Sequence, residues 1–256
     1  MKTELKETLF KNGQRLVRLW NGYAEARYGN IYKVRIQAEH RKTLIGLFLP
    51  IDDDSIVLDI GCGDGNMFPY ISQLIRPKTV WAMDWSEKML EEAKLEAERV
   101  QAISNTNFEL FCCDISQPLD CLDESVDAIL CNLVICYVAS GWRKPLKEMA
   151  RVLKPGGYLY LGTLLNTWSF KDLKLILHAV IEFLRHPIAS FQGVKYRRIA
   201  SEVAEESKRC GAEFPSRHEL IDFLVSLGFK DITAIPTYWK GGIALRAKKS
   251  QTPFMA

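Results

Sequence analysis

The 256-residue chain has four histidines, and none falls with cysteines at the spacing of zinc ligands, so no metal centre is spelled out. Its seven cysteines are odd in number and lie mostly inside apolar runs, as Cys112, Cys113, Cys131 and Cys136 do. That usage suits reduced thiols in a cytoplasmic protein and argues against a disulfide framework. No run of about 18 apolar residues is present to cross a membrane. The charged, amphipathic start is unlike a secretory leader. A net charge of +3 is too small to argue for nucleic acid, and no basic stripe with interleaved aromatics adds to it. The remaining composition is ordinary, 48% hydrophobic and 25% charged, in a chain long enough for one sizeable core with an insertion.

One stretch organises the rest. Ser55 to Met67 reads SIVLDIGCGDGNM. The apolar run Ile56, Val57, Leu58 has the pattern of a buried parallel strand. Asp59 stands near its end, and Gly61, Gly63 and Gly65 follow at alternate positions. Such glycines let the backbone turn tightly and remove the Cβ atoms that would block a ligand. From Asn66 onward the chain can open a helix whose free N–H groups face the same space. Strand, glycine loop and helix make the first βα turn of a nucleotide-binding sheet, with the ligand beyond the carboxyl ends of the strands. A dinucleotide fingerprint spaces its glycines G-x-G-x-x-G. Here the spacing is G-x-G-x-G, and Asn66 stands where the third dinucleotide glycine would be. An acid before the loop also suits a cationic ligand better than a phosphate.

This run resembles motif I of the class I S-adenosylmethionine-dependent methyltransferases, a hydrophobic strand leading into D-x-G-x-G-x-G. Two later features keep the register of that resemblance. Thr79 to Met83 reads as a second strand ending on Asp84, about twenty residues past the glycines, where ribose hydroxyls are held. A carboxylate suits that task because it accepts from both hydroxyls at once. Leu153-Lys154-Pro155-Gly156-Gly157, ahead of an apolar fifth strand Tyr158 to Thr163, is a recurring methyltransferase signature, with a Pro-Gly pair that calls for a type II turn. The resemblance covers residues 50–165 and 214–249. It implies an α/β, Rossmann-like fold: a seven-stranded, mostly parallel sheet in the order 3-2-1-4-5-7-6, its last strand antiparallel, with helices on both faces. It also implies S-adenosylmethionine as cofactor.

By the same resemblance the cofactor lies on Asp59, Gly61, Cys62, Gly63 and Gly65, then on Asp84 and Trp85, with Met89 against the adenine behind a Ser86 N-cap. Phe108 to Cys113 reads as the third strand, followed by Asp114. In the family that acid accepts from the adenine amino group, and the next backbone N–H, here of Ile115, meets the ring. Asp127 to Val138 reads as the fourth strand and its exit, with Asn132 and Leu133 implied to face the methionine part of the cofactor. Cys136 stands where many relatives carry histidine, and Tyr137 follows it, which weakens any expectation of a histidine base there. The D/N-P-P-Y/F tetrapeptide of nucleobase amino methyltransferases is absent from CNLVICYV.

The rest divides into a cap and an insertion. Residues 1–49 read as helical: apolar positions at Leu5, Leu9, Leu16, Leu19 and Trp20, then a stretch from Tyr32 to Leu49 ended by Pro50. Tyr28 either touches the cofactor, as an aromatic there does in the family, or staples the helices to the sheet. His40, alone in its helix, reads as structural. Ser216 with Glu219 forms a capping box for a last helix, so His218 in its first turn reads as structural too. Residues 166–213 exceed the dozen or so that a plain crossover needs. Within them Lys171, Lys174, His178, Glu182 and Arg185 make one narrow polar stripe on an otherwise apolar helix. Such a helix needs burial on several sides. It is either a packed cap or a lid over an apolar acceptor, with Trp168, Leu173, Leu177, Ile181 and Phe191 as lining. A peripheral membrane contact is the variant reading of the same helix.

A sulfonium methyl is already activated, so such an enzyme needs mainly in-line placement of the nucleophile and exclusion of water. A base is required only if the attacking atom must lose a proton. The candidates are Tyr137, His178 and Tyr28, in that order. The favoured activity is methyl transfer to a hydrophobic or aromatic small molecule, O- or C-methylation ahead of N-methylation, of the kind found in secondary metabolism. Protein or RNA methylation, and cofactor binding without catalysis, remain alternatives.

Overall fold

The structure, a computed structural model, describes residues 18, 21–22, 35–139, 141–167, 202–203 and 205–251. A helix α1 (Arg35–Ile45) precedes β1 (Ile56–Ile60). One helical turn α2 (Phe68–Tyr70) then runs on as a π-helical turn, Ile71–Ile75, ended by Arg76 in the left-handed conformation ahead of Pro77. β2 (Thr79–Asp84), α3 (Glu87–Gln101) and β3 (Asn107–Cys112) follow. After β4 (Val126–Asn132) come α4 (Arg143–Val152) and β5 (Leu153–Leu164). The chain closes with α5 (Arg217–Ser226), β6 (Phe229–Thr237) and β7 (Gly242–Lys249).

The seven strands form one sheet in the order β3-β2-β1-β4-β5-β7-β6, parallel except for β7, which runs antiparallel to both β5 and β6. This is the expected topology. Because alternate residues of a strand face opposite sides, the sheet separates two cores. Leu58, Ile129, Leu159 and Leu245 meet Trp142, Leu146 and Met149 of α4 and Leu220 and Leu224 of α5. Val57, Val80, Leu130 and Tyr160 meet Leu44 and Phe48 near α1, Phe68 and Ile71 near α2, and Ala93 and Ala97 of α3. Both layers are apolar and continuous, which is what a parallel sheet covered on both faces requires.

The helix caps follow the sequence. Ser86 accepts from Met89 N at the start of α3, and Ser216 and Glu219 form the full capping box of α5. His218 is exposed and sits 2.5 Å from Asp222 one turn on, away from any site.

Within Asp127 to Val138, read as the fourth strand and its exit, the strand stops at Asn132, Leu133 turns left-handed (φ 58°) and Ile135–Tyr137 form a 3₁₀ turn. One detail departs from expectation. The L-K-P-G-G run does not precede the fifth strand but begins it. Gly156 at φ 82° takes the bend, and the β4–β5 register shifts between Val126 and Ala128.

Candidate active site

The glycine loop is fixed from below before any side chain is added. Gly61 N and Cys62 N both donate to Met83 O of β2, at 2.7 and 2.9 Å. Gly61 adopts φ 69°, and a Cβ there would overlap Val134 Cγ2 on the segment after β4. Only glycine combines that backbone with that neighbour. Gly65, at φ 76°, likewise presses on the Phe68 ring.

Asp84 joins the loop to α3. Its Oδ2 accepts from Gly63 N at 2.9 Å and its Oδ1 from Ser86 N at 2.8 Å. Burial pushes its carboxyl up, against the opposing pull of those N–H groups. Each carboxylate oxygen has a second lone pair, so ligand hydroxyls can still be received. Behind it Met89 is buried, and Trp85 is half-buried. The Cys62 thiol is buried and pushed up, chiefly by desolvation.

Asp59 is the unbalanced group. It is buried at the end of β1, and its Oδ2 has no hydrogen-bond partner among the described residues. Burial first, and the charge of Asp84 second, raise its pKa to about 8. A buried carboxyl in this state holds a proton or waits for a cation.

Across the third strand tip, Asp114 makes an Asx turn, Oδ1 accepting from Ser116 N and Oδ2 from Ser116 Oγ, both at 2.8 Å. Ile115 is half-buried against the core. On the other side of the loop the tip of β4 carries Asn132, whose Oδ1 lies 2.9 Å from His40 Nε2. Leu133 donates its N–H to Gly162 O at 2.7 Å. It packs with Cys136, Tyr137, Leu164, Phe214 and Tyr238 in a separate, aromatic-rich cluster. Burial pushes the Cys136 thiol up to about 11, so it stays a neutral packing group at ordinary pH.

The loop, Asp59, Asp84, Asp114, Asn132 and Leu133 therefore share the carboxyl edge of the sheet. They flank the point between β1 and β4 where the strand order reverses, the general ligand site of an open α/β sheet. Tyr137 belongs to the same edge. Tyr28 and His178, and the acceptor-lining candidates Trp168, Leu173, Leu177, Ile181 and Phe191, lie outside the described residues.

His40, which the sequence reads as merely structural, proves to be part of this edge. Its Nδ1 also meets Thr237 Oγ1 of β6 at 2.9 Å. No local signal in the sequence joins these three residues.

Residues 58–161 match the family described as a methyltransferase domain. That match runs from β1 to β5, inside a sheet with the class I methyltransferase strand order. The malonyl-[acyl-carrier protein] O-methyltransferase of a Marinomonas strain is 36% identical over 119 residues, 45% of this chain and 40% of that protein. Human thiol S-methyltransferase TMT1A is 28% identical over 158 residues, 59% of this chain and 62% of the relative. The chain thus matches between 40% and 62% of the length of these curated relatives. Among solved structures, the putative methyltransferase in a complex with the Trm112 activator from Haloferax volcanii superposes with TM-score 0.60 at 16% identity, covering 90% of this chain and 97% of its own. A SAM-dependent methyltransferase from Aquifex aeolicus gives TM-score 0.52 at 21% identity, over 82% and 88% of the two chains. At these identities the structures attest the fold.

The cofactor of such domains is S-adenosylmethionine, and the residues present fit it. The methyltransferase domain offers an unmatched buried carboxyl for a cationic group, an Asp84 carboxylate with lone pairs to spare for a diol, and a loop cleared of Cβ atoms. The Asp84 carboxylate beside the loop would repel the pyrophosphate of a dinucleotide.

Proposed function

We propose that the protein is an S-adenosylmethionine-dependent methyltransferase whose acceptor is an apolar or aromatic small molecule. The observation that carries this reading is the buried Asp59 carboxyl with its orphan Oδ2, set beneath a glycine loop that Asp84 ties down. In this reading Asp84 receives the ribose hydroxyls, Asp114 and the Ile115 N–H the adenine, Met89 its flat face, and Asn132 and Leu133 the amino-acid end.

When bound, the cofactor supplies a sulfonium methyl that needs no further activation. What the chain must do is orient the acceptor and keep water away. Among the described residues, Leu133, Tyr137 and Phe214, partly buried over a core of Cys136, Leu164 and Tyr238, offer apolar groups beside Asn132 for that. It supports a greasy acceptor over a peptide or an RNA, as does the small net charge. On their sequence pattern, Trp168, Leu173, Leu177, Ile181 and Phe191 of the insertion 166–213 are the further lining this reading calls for. His40 is unsuited to be a base, since both ring nitrogens are engaged and burial lowers its pKa to about 4. Tyr137 is the group in reach of the acceptor side for an acceptor that must lose a proton. An acceptor that reacts through an anion already present in solution, as a thiol does through its thiolate fraction, requires none. The relatives named for O- and for S-methylation make oxygen and sulfur the first atoms to try.

The test is methyl transfer from labelled cofactor to a panel of an alkyl thiol, a phenol and a malonyl thioester. Turnover of at least one is expected, and Phe214→Ser should cut it while leaving cofactor affinity within about threefold. Label appearing only in protein or RNA added to the same reaction would overturn the small-molecule reading.

A further inference from the structure

Three residues far apart in sequence close on one another beside the glycine loop. His40 of α1 is buried, with Nδ1 2.9 Å from Thr237 Oγ1 and Nε2 2.9 Å from Asn132 Oδ1. Gly162 of β5, the register partner of Asn132, makes the room: a Cβ there would fall on Asn132 Oδ1 and His40 Nε2. An amide oxygen only accepts, so Nε2 carries the ring proton, and Nδ1 accepts from the Thr237 hydroxyl. Both roles belong to the neutral imidazole, and the two contacts fix its tautomer.

Fixing one end of an amide fixes the other. With Oδ1 held by His40, the NH₂ of Asn132 lies on the opposite side of the group. Asn132 is half-buried, and its Nδ2 has no partner among the described residues and is not sealed in the interior. The backbone braces this arrangement on both sides. Leu133, after Asn132, sits at φ 58°, and Tyr238, after Thr237, at φ 48°. Side-chain-bearing residues adopt that region at a conformational cost, and they persist where the surroundings over-determine them. Leu133 N–H is held by Gly162 O at 2.7 Å. The Tyr238 ring lies 4.8 Å from His40, and its hydroxyl donates to Gln37 Oε1 at 2.6 Å.

We propose that His40 and Thr237 are positioning residues that hold the Asn132 amide with its NH₂ toward the ligand space, where it donates to the carboxylate of the cofactor's amino-acid end. This rests on the S-adenosylmethionine reading above. The register supports it: Ile60 pairs with Cys131, so Gly61 and Asn132 leave adjacent strands side by side. A zwitterionic amino-acid group asks for one acceptor and one donor. Asp59 Oδ2 and Asn132 Nδ2 supply one of each on neighbouring strands. The terminal torsion of an unclamped asparagine is broad and roughly two-fold, so it would also present its oxygen, which repels a carboxylate. His40 touches neither ligand; it acts through Asn132.

The experiment is calorimetric titration of two probes, S-adenosylhomocysteine and 5′-methylthioadenosine, the second lacking the amino-acid end. His40→Leu should weaken the first by about tenfold, ~1.4 kcal/mol, and the second by less than about twofold. His40→Gln, whose amide can donate to Asn132 Oδ1, should restore the first probe to within about threefold of the parent. Thr237→Val, similar in shape, should give the His40→Leu signature at smaller size, and it serves if His40→Leu fails to fold. Parent-like binding of S-adenosylhomocysteine by a folded His40→Leu or Thr237→Val protein would overturn the proposal, as would equal weakening of both probes. A parent protein that binds neither probe overturns the cofactor reading itself, and the role of the clamp with it.

Discussion

The two halves of the carboxyl edge are assembled by different means. On the β3-β2-β1 side the polar contacts are short in sequence: Gly63 and Asp84 are 21 residues apart, and Asp114 bonds two residues onward. On the β4-β5-β7-β6 side His40 reaches over 92 residues to Asn132 and 197 to Thr237. The first half is acidic, with two buried carboxyls of raised pKa. The second is uncharged where it matters, built from an imidazole, an amide, a hydroxyl and an aromatic cluster. A ligand spanning both therefore meets a polar side written locally and an apolar side that exists only once the chain has folded.

The sharpest way to break the local half is Gly61→Ala. The added Cβ must displace Val134, and alanine at φ 69° is strained in addition. Overpacking and the left-handed backbone together should cost about 2–4 kcal/mol of stability. Cofactor binding should be lost even where the protein remains folded. Thermal melting and titration with S-adenosylhomocysteine read both effects. A variant that melts and binds like its parent would show that the loop tolerates a side chain where it meets β4.

The non-local half breaks with acid. His40 is held neutral, its pKa lowered to about 4 from 6.5, with burial the main cause and the Asn132 contact opposing. The unfolded chain therefore binds the proton first, and stability falls as pH drops from about 6.5 through 4. The full loss is ~3 kcal/mol. Asp59 acts in the opposite sense, since its raised pKa gives stability that is lost as pH rises from about 4 through 8. Urea unfolding of parent and His40→Gln, at pH 7 and at pH 4, separates the two. The gap between the proteins should narrow or invert at the lower pH. A constant gap would mean that His40 does not titrate with unfolding.

These halves also explain what the sequence discloses. The glycine loop, the acid on β2, the acid after β3 and both serine caps follow from patterns within a few tens of residues, where turn geometry and alternation act directly, and the strand order follows from the family resemblance those patterns carry. The point where β4 ends does not: Leu133 makes the last β4–β5 ladder bond, to Gly162 O, and at φ 58° turns the chain out of the sheet within a run that stays apolar to Val138. The L-K-P-G-G run is bent inside β5 for a similar reason, the sheet continuing to pair on both sides of Gly156. His40 is the clearest case. A lone histidine in an amphipathic helix has no sequence neighbour that reveals Asn132 or Thr237, and the glycine that admits it, Gly162, reads as an ordinary strand residue.

The smallest expected effect concerns the boundary between the halves, and it turns on one proton. Without ligand Asp59 is largely protonated at pH 7, because burial and Asp84 raise its pKa to about 8. A cation arriving beside its orphan Oδ2 favours the charged form and drives that proton off. Binding of S-adenosylhomocysteine, whose amino-acid end carries an ammonium, should then release up to one proton near pH 7. Its affinity should rise with pH below about 8, by at most ~1.4 kcal/mol per unit, and level off above. Calorimetry in two buffers of different ionisation enthalpy counts the proton. 5′-Methylthioadenosine, lacking the ammonium, should release none, and Asp59→Asn should abolish the release seen with S-adenosylhomocysteine. If the parent releases no proton while Asp59→Asn binds S-adenosylhomocysteine unchanged, Asp59 is an acid of the strand core alone. The cation would then have to be met from the β4 side, where Asn132 offers its held oxygen to His40 and only a donor to the ligand.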